Sequence, residues 1–198
     1  MIAIIDYGAG NLTSVAKAFR FLGATSHVTA DPAVVSEAQA VVLPGVGHFA
    51  STTVISEVGL TRAIREAIQA EKPFLGICVG LQWMFEGSEE APGISGLGTF
   101  SGVCRRFPPS ARVPHVGWNQ IRITRPSRLL DGIDDGSYVY YTHSYFAPLV
   151  PQTVAVTDYG AEFSAVVEVG NSFAVQFHPE KSSESGLHML RNFVGLAC

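Results

Sequence analysis

Cysteine is scarce in this sequence, which has only Cys78, Cys104 and Cys198 among its 198 residues. Their odd number argues against a disulfide framework, and a chain of this length needs none. No CxxC pair or Cys/His cluster has the spacing of metal ligands. We therefore expect no bound metal, no cofactor and a reducing compartment such as the cytoplasm.

Long hydrophobic runs and an excess of one charge are also lacking. The apolar run Ile2–Ile5 is interrupted by Asp6 and follows no basic segment, so we expect neither a signal peptide nor a membrane span. Lysine plus arginine number 13 and aspartate plus glutamate 17, a net charge of −4 with both signs scattered. Without a basic face, the chain is not expected to bind nucleic acid. Gly8-Ala9-Gly10 lacks the third glycine of a dinucleotide-binding fingerprint, so nucleotide binding is not expected either.

Alternating patterns in the first half predict an α/β fold. Short β-branched apolar runs alternate with segments of helical period. These segments are Ile2–Ile5, Leu12–Leu22, Val28, Ala40–Leu43, Leu60–Ala70 and Pro73–Ile77. Asn11 suits the N-cap of the first helix, and Gly23 suits its C-terminal end. This βαβ order predicts a mostly parallel central sheet flanked by helices.

The pattern changes after about Gly93, where glycine and proline punctuate short strand-like runs. These runs are Val116–Ile123, Tyr138–Tyr141, Val154–Val156, Ala165–Val169 and Ala174–Phe177. They predict additional antiparallel strands in the second half, followed by a closing helix from about Glu184 to Val194. Nearly half of the residues are apolar, and we see no repeat or linker, so a single domain over residues 1–198 is expected.

Cys78 is the predicted nucleophile. It lies at the centre of Gly-Ile-Cys-Val-Gly, between the strand candidate Pro73–Ile77 and a helix that begins near Leu81. A sharp strand-to-helix turn lifts a side chain above the sheet edge, and the flanking glycines permit close approach of neighbouring elements. The helix N-terminus also favours a thiolate. Cys104 and Cys198 lack such a setting and are interpreted as structural.

His178 and Glu180 are the predicted base and its orienting carboxylate. A thiolate nucleophile needs an imidazole that takes and returns a proton, and a third group fixes the orientation of that imidazole. In an extended His-Pro-Glu segment, side chains i and i+2 lie on the same side. Among the other histidines, His48 and His115 are expected in Gly- or Pro-containing loops that could face a site, and they are second-line candidates.

A tetrahedral oxyanion requires two converging N–H donors. One is predicted at Val79, the first residue after the nucleophile. The other is predicted in the glycine-rich turn Gly45-Val46-Gly47, which follows the strand Ala40–Leu43.

Four motifs together resemble the class I, or triad-type, glutamine amidotransferases. They are Pro-Gly-Val-Gly, Gly-Ile-Cys-x-Gly-x-Gln, His-Ser-Tyr and Phe-His-Pro-Glu, and they span most of the chain in the family's order. The resemblance implies a flavodoxin-like sheet and a Cys-His-Glu triad that hydrolyses glutamine to glutamate and ammonia. At matching positions it implies that Gln82, Ser144 and Tyr145 bind glutamine and that Glu90 holds its ammonium group.

Three further segments are similar to the glutaminase subunits of imidazole glycerol phosphate synthases. They are Asp-Tyr-Gly-Ala-Gly-Asn, Pro-His-Val-Gly-Trp-Asn and Phe-His-Pro-Glu-Lys-Ser. This resemblance implies a (β/α)8-barrel cyclase as partner in a heterodimer of histidine biosynthesis, which receives the ammonia and activates the glutaminase. It places Asn11, Trp118 and Lys181 at the cyclase interface and Tyr140 at the ammonia exit.

Three alternatives stay open at this point. The chain resembles in part other triad-type glutaminases, which feed pyridoxal phosphate, guanylate or anthranilate synthesis, although the Pro-His-Val-Gly-Trp-Asn segment argues against these. A non-catalytic regulatory relative is disfavoured by the intact triad. A peptidase-like or stress protein with the same elbow is disfavoured by Gln82 and the His-Ser-Tyr motif.

Overall fold

The computed structural model describes residues 1–197 and places thirteen strands there. In chain order they are β1 (Ile2–Ile5), β2 (Ser26–Thr29), β3 (Ala40–Gly45), β4 (Phe74–Cys78), β5 (Gly87–Ser88), β6 (Val103–Arg106), β7 (His115–Gln120), β8 (Arg122–Ile123), β9 (Tyr138–His143), β10 (Tyr145–Phe146), β11 (Thr153–Asp158), β12 (Glu162–Val169) and β13 (Ser172–Val175). The helices are α1 (Leu12–Phe21), α2 (Pro32–Glu37), α3 (Thr53–Glu57), α4 (Leu60–Gln69), α5 (Val79–Trp83) and α6 (Ser183–Leu196). Single 3₁₀ turns form at Phe49–Thr52 and Pro179–Lys181.

An eight-stranded sheet, in the order β2-β1-β3-β4-β13-β12-β11-β8, forms the centre of the fold. The five strands from β2 to β13 are parallel, and the remaining three are antiparallel. This arrangement confirms the mostly parallel sheet and the added antiparallel strands. Because β1, β3, β4 and β13 run in the same direction, the segments that follow them meet at one edge of the sheet.

Helices cover both faces of the sheet and account for its apolar strands. Val15 and Phe19 of α1 pack with Phe193 of α6 on one face, whereas Val35 of α2 and Ile64 of α4 pack on the other. Every residue of β1, β3 and β4 is buried, as expected for strands covered on both sides. Within residues 1–197, no helix is both long and apolar enough to cross a bilayer.

The ends of α1 follow the sequence signals closely. Asn11 is the N-cap, and its side-chain oxygen accepts a hydrogen bond from the Ser14 N–H at 3.4 Å. After the C-cap, Gly23 adopts φ +75°, a left-handed conformation that glycine reaches without a Cβ penalty. The short helix α2 was not predicted, although Asp31 caps it and Pro32 is its first residue, because six residues are too few for a helical period to be recognised.

The predicted strand Val116–Ile123 is wrong in its extent. The structure divides it into β7, which pairs with β9 in a separate two-stranded ribbon, and β8, which joins the edge of the main sheet. Ile121, between them, is fully buried in the core, and its N–H binds the Ser137 carbonyl at the next position of the β7–β9 register, after which the chain turns to the main sheet. A strand that changes sheets keeps the same alternating pattern, so the sequence does not reveal the break.

Candidate active site

Cys78 lies at a sharp turn between β4 and α5. Its φ of 55° and ψ of −105° are unusual for a non-glycine residue, and such strain persists only where the surroundings enforce it. A Cβ on Gly80 would lie 1.9 Å from the Leu43 carbonyl oxygen, and one on Gly76 would lie 2.8 Å from the Gly80 carbonyl oxygen. The two flanking glycines therefore allow β3, β4 and α5 to approach more closely than any side chain would permit.

Polar groups surround the sulfur of Cys78, which is only 2% exposed. The Gln176 side-chain N–H₂ donates toward Sγ at 3.8 Å, and the Thr142 carbonyl lies 3.9 Å from Sγ. The segment after β13 brings His178 to the same sheet edge, and its N–H binds the Tyr140 carbonyl at 2.9 Å. Cys78 and His178, 100 positions apart in sequence, thus lie in one polar cluster.

The His178 and Glu180 side chains form a buried pair. Nδ1 of His178 lies 3.0 Å from Oε1 of Glu180, and the two side chains are 2% and 1% exposed. The expectation of an extended His-Pro-Glu segment is wrong, because Pro179–Lys181 forms a 3₁₀ turn. His178 itself remains extended, and the turn after it returns the Glu180 carboxylate to the imidazole.

The charge state of His178 is set by its neighbours. Burial by itself lowers the pKa of His178, but the nearby charge of Cys78, and then the hydrogen bond and charge of Glu180, raise it to about 10. The imidazole therefore carries its proton at neutral pH, held between the Cys78 sulfur and the Glu180 carboxylate. This arrangement suits a group that donates a proton to a leaving group.

A cavity of about 200 Å³ opens beside Cys78. Its lining residues are Gly47, Cys78, Val79, Gln82, Glu90, Pro114, Thr142, His143, Ser144 and Tyr145. Six of the eight residues expected to bind the substrate or its oxyanion are among them. Pro114, Thr142 and His143 also line the cavity, although no individual role was predicted for them.

The other two predicted oxyanion residues, Gly45 and Val46, do not line this cavity. Gly45 ends β3 in register with Cys78, and a Cβ on it would lie 2.4 Å from the Tyr7 hydroxyl and 2.7 Å from Val79 Cβ. The start of the Gly45-Val46-Gly47 turn is therefore packed tightly between Tyr7 and α5. Gly47, with φ +96°, reaches the cavity wall from the same turn.

Glu90 is already engaged by the protein on one side. Its Oε2 accepts a hydrogen bond from the Phe49 N–H at 2.7 Å, at the start of the 3₁₀ turn Phe49–Thr52. His48 caps that turn, because its Nδ1 accepts a hydrogen bond from the Ala50 N–H at 3.0 Å. The Glu90 carboxylate is thereby fixed at the cavity wall, whereas His48 has a local structural contact and is absent from the lining.

Four buried side-chain polar atoms have no hydrogen-bond partner among residues 1–197, and they share one location. They are Tyr7 Oη, Gln176 Oε1, His178 Nε2 and Glu180 Oε2. Gln176 contacts the Cys78 sulfur, His178 pairs with Glu180, and Tyr7 lies within electrostatic reach of Cys78. Burial and the charge of Cys78 raise the pKa of Tyr7, although the nearby Ser51 hydroxyl acts in the opposite direction. Unsatisfied buried polar atoms are uncommon, and their concentration here marks a reactive centre.

The residues expected at a partner interface form an exposed aromatic patch on the β7–β9 ribbon. Trp118 is 52% exposed and meets Tyr140 edge to face, with 5.9 Å between ring centroids. Lys181 Nζ lies 5.8 Å from the centroid of the Tyr140 ring. Tyr138, on the same strand as Tyr140, is 56% exposed. Asn11 is the N-cap of α1.

His115 was expected in a loop, but it is the buried first residue of β7. Its Nδ1 lies 3.1 Å from His143 Nε2, and His143 Nδ1 lies 2.9 Å from the Tyr145 carbonyl oxygen. Burial lowers the pKa of His115 to about 4, and burial is also the largest cause that lowers the pKa of His143 to about 3. The sequence shows two histidines on neighbouring strands, but not that they face each other.

We expect these two histidines to make the protein sensitive to acid. The unfolded chain binds their protons near pH 6.5, whereas the folded chain binds them only near 4 and 3, so folding stability falls as the pH falls below 6.5. The loss should reach a few kcal/mol by pH 4. His178 has the opposite effect on stability. Because its pKa is raised in the folded chain, its protonation stabilises the fold fully below pH 6.5, and this contribution is lost as the pH rises through 10. Urea unfolding between pH 7.5 and 4 measures the acid branch. In His115→Phe the dependence should be weaker, and an unchanged curve would contradict this assignment.

The other cysteines remain apart from the reactive cluster. Cys104 is fully buried in β6, where burial raises the pKa of its thiol and its Sγ approaches the Gln82 carbonyl at 3.9 Å. Cys198 lies outside the described residues. Among residues 1–197, no group of three or more His, Cys, Asp or Glu side chains is arranged to hold a metal ion.

Comparisons with known proteins show the family and the fold. The family model described as glutamine amidotransferase class-I matches residues 3–196. The chain is 52% identical over 195 residues to imidazole glycerol phosphate synthase subunit HisH of Methanothermobacter thermautotrophicus, covering 98% of each chain. It is 46% identical to the protein of the same name from Bacillus cereus, covering 99% of this chain and 95% of the relative. A solved structure titled "Crystal structure of glutamine amidotransferase" superposes with a TM-score of 0.78 at 18% identity, covering 100% of this chain and 99% of the other, which shows the shared fold.

Proposed function

The chain belongs to the class I glutamine amidotransferases, and we propose that it is the glutaminase subunit of an imidazole glycerol phosphate synthase. The observation that carries this proposal is a small polar cavity closed by Cys78 in a chain 52% identical to such a subunit over nearly its whole length. The family match over residues 3–196 supports one amidotransferase domain. The product ammonia serves histidine biosynthesis, and we propose the reducing cytoplasm as the compartment.

In the proposed reaction, the Cys78 thiolate attacks the side-chain carboxamide carbon of glutamine. The tetrahedral intermediate collapses with cleavage of the C–N bond, and His178 gives its proton to the departing ammonia. Neutral His178 then removes a proton from water, which attacks the thioester and releases glutamate and the free thiolate. Glutamine and water are thus converted to glutamate and ammonia. The role of Glu180 is to hold Nδ1 of His178, so that Nε2 faces the reacting atoms.

Two donors are proposed for the oxyanion. The Val79 N–H begins helix α5, where the helix dipole favours negative charge. The second donor belongs to the Gly45-Val46-Gly47 turn. Because Gly45 and Val46 lie outside the cavity lining, we propose that this turn reorients before the reaction and that partner binding controls the change. Glutamine would then be hydrolysed only when its ammonia can be used.

We propose that glutamine is recognised by the cavity wall that Gln82, Glu90 and the Ser144–Tyr145 segment form. Gln82 donates to the Tyr145 carbonyl at 2.8 Å and thereby has a fixed orientation at the cavity. Ser144 and Tyr145 present main-chain groups there, and Glu90 adds a carboxylate suited to the α-ammonium of glutamine. A cavity of about 200 Å³ with these groups fits an amino acid better than a peptide.

A cyclase partner follows from the chemistry of the product. Ammonia released into neutral water is largely protonated and is then no longer a nucleophile, so it must pass directly to a second active site. The exposed patch of Trp118, Tyr140 and Lys181 has the aromatic and cationic character common at protein interfaces. We propose that the (β/α)8-barrel cyclase binds here, near Asn11, and that ammonia leaves past Tyr140.

We expect the glutaminase to be stimulated about 10–100-fold by a cognate cyclase with its nucleotide substrate bound. Glutamate release by the purified chain would be measured alone, with the empty cyclase and with the liganded cyclase. Activity that ignores the cyclase would leave a glutaminase whose synthase is different, such as one for guanylate or anthranilate. No glutamate release under any of the three conditions would refute the enzymatic proposal and favour a regulatory relative.

A further inference from the structure

A continuous chain of hydrogen bonds connects the β7–β9 ribbon to the wall of the cavity. Asn119 Nδ2 lies 3.5 Å from His115 Nε2, His115 Nδ1 lies 3.1 Å from His143 Nε2, and His143 Nδ1 lies 2.9 Å from the Tyr145 carbonyl oxygen. It begins at the half-buried Asn119 and ends at a residue that lines the cavity. Neither histidine has a role in the proposed reaction.

The two ends of this chain determine where every proton lies. Asn119 Oδ1 accepts the Gln120 N–H at 2.8 Å, and Nδ2 donates one N–H to the Asp158 carbonyl at 3.0 Å, so toward His115 this nitrogen can only donate its other N–H. At the other end, the Tyr145 carbonyl can only accept. His115 must therefore accept at Nε2 and donate from Nδ1, and His143 must do the same. Only one neutral tautomer of each imidazole satisfies all three contacts.

The surroundings of both rings keep them neutral. His115 stacks between Tyr159 and Tyr141, with centroid distances of 3.9 and 4.7 Å. His143 packs against Phe107 and Phe163 at 5.2 and 5.3 Å. A second proton on either imidazole would direct one N–H at another N–H, and the lowered pKa of both groups agrees with this conflict. The pair thus forms a fixed dipolar chain rather than a site of proton exchange.

The Tyr145 carbonyl is the point where this chain meets the substrate wall. It accepts from His143 on one side and from the Gln82 side chain on the other. With both lone pairs engaged, the Ser144–Tyr145 segment cannot rotate without breaking a buried hydrogen bond, and the Gln82 amide is oriented with its nitrogen toward Tyr145. The positions of Gln82, Ser144 and Tyr145 at the cavity therefore depend on the His143 imidazole.

We propose that His143 and His115 are positioning residues, which hold the Tyr145 carbonyl and through it Gln82 in the orientation that binds glutamine. This inference rests on the proposed glutaminase function. Apolar side chains would fill the same aromatic surroundings without the cost of burying two polar rings, so a role in packing alone does not account for the pair. The chain also links the glutamine wall to Asn119 on the ribbon that carries Trp118.

Two substitutions of His143 separate donation from packing. Asn places an N–H₂ donor where Nδ1 lies and keeps the bond to Tyr145, whereas Leu of similar size removes it. In complex with the liganded cyclase, His143→Leu should raise KM for glutamine about tenfold and change kcat by less than about threefold. His143→Asn should have a KM closer to that of the wild type. Equal KM values for both variants, or a loss confined to kcat, would overturn the proposal.

The tautomers supply a readout that needs neither activity nor folding of a variant. Nitrogen-15 NMR of the full wild-type chain at pH 7 should show two neutral imidazoles protonated at Nδ1, the less common tautomer of free histidine. Protonation at Nε2, or a charged imidazole at either position, would overturn the proposal. These results are also distinguishable from failure of the proposed function, which would be an absence of glutamate release by the wild type itself.

Discussion

Replacement of Cys78 by alanine should lower kcat/KM for glutamine by a factor of roughly 10⁴ or more, because it removes the nucleophile and leaves only binding and oxyanion stabilisation. Since Cys78 is small and Ala is only slightly smaller, the fold should persist. Glutamate release in the presence of the liganded cyclase measures the loss. Thermal unfolding of the same sample checks that the protein remains folded.

Cys104→Ala is the matched control for this experiment. Cys104 is as deeply buried as Cys78 but lies in β6, and its sulfur approaches the Gln82 carbonyl. Its loss should cost stability without removing turnover. Glutaminase activity that survives in Cys78→Ala, or that disappears equally in Cys104→Ala, would exclude Cys78 as the nucleophile.

Among glycine-to-alanine substitutions, Gly80→Ala should lower the stability of the fold most. The added Cβ would lie 1.9 Å from the Leu43 carbonyl oxygen, and neither backbone can move without breaking the contact between β3 and α5. We expect the free energy of unfolding to fall by roughly 3 kcal/mol or more, with loss of glutaminase activity because the turn carries Cys78. Chemical denaturation at neutral pH measures the change.

Gly195→Ala tests whether this effect comes from the contact rather than from glycine itself. Gly195 is an exposed residue of α6, and nothing lies within 4 Å of its added Cβ. Stability there should stay constant or rise by up to about 1 kcal/mol, since alanine is the better helix former. If the two variants were equally stable, the close approach at Gly80 would not limit the fold.

Local patterns predicted much of this architecture because they report local physics. The period of α1 and its cap at Asn11 follow from residues a few positions apart, and so does the turn around Cys78. The parallel arrangement follows from βαβ order, which in turn predicts that Gly45 and Cys78 end neighbouring strands at the same edge. Among the six expected residues that line the cavity, Gln82, Glu90, Ser144 and Tyr145 were predicted from the family resemblance and not from strand order.

What the sequence did not reveal depends on contacts between distant segments. The stacking of His115 between Tyr141 and Tyr159 is invisible in a linear pattern, and so is the contact of Gln176 with Cys78. The predicted strand divides at Ile121 because its two parts pair with strands of different sheets, which depends on tertiary contacts. The close approach of the Tyr7 hydroxyl to Gly45 likewise joins distant segments and can be recognised only in the folded structure.

The four buried polar atoms without partners among residues 1–197 bear on how this chain can evolve. Each costs stability on the order of 1–3 kcal/mol, so random substitution toward apolar side chains at Tyr7 or Gln176 would be favoured wherever only folding is under selection. A lineage released from catalysis should lose these groups early. Joint retention of these groups among relatives would therefore indicate continuing selection for chemistry, independently of any motif.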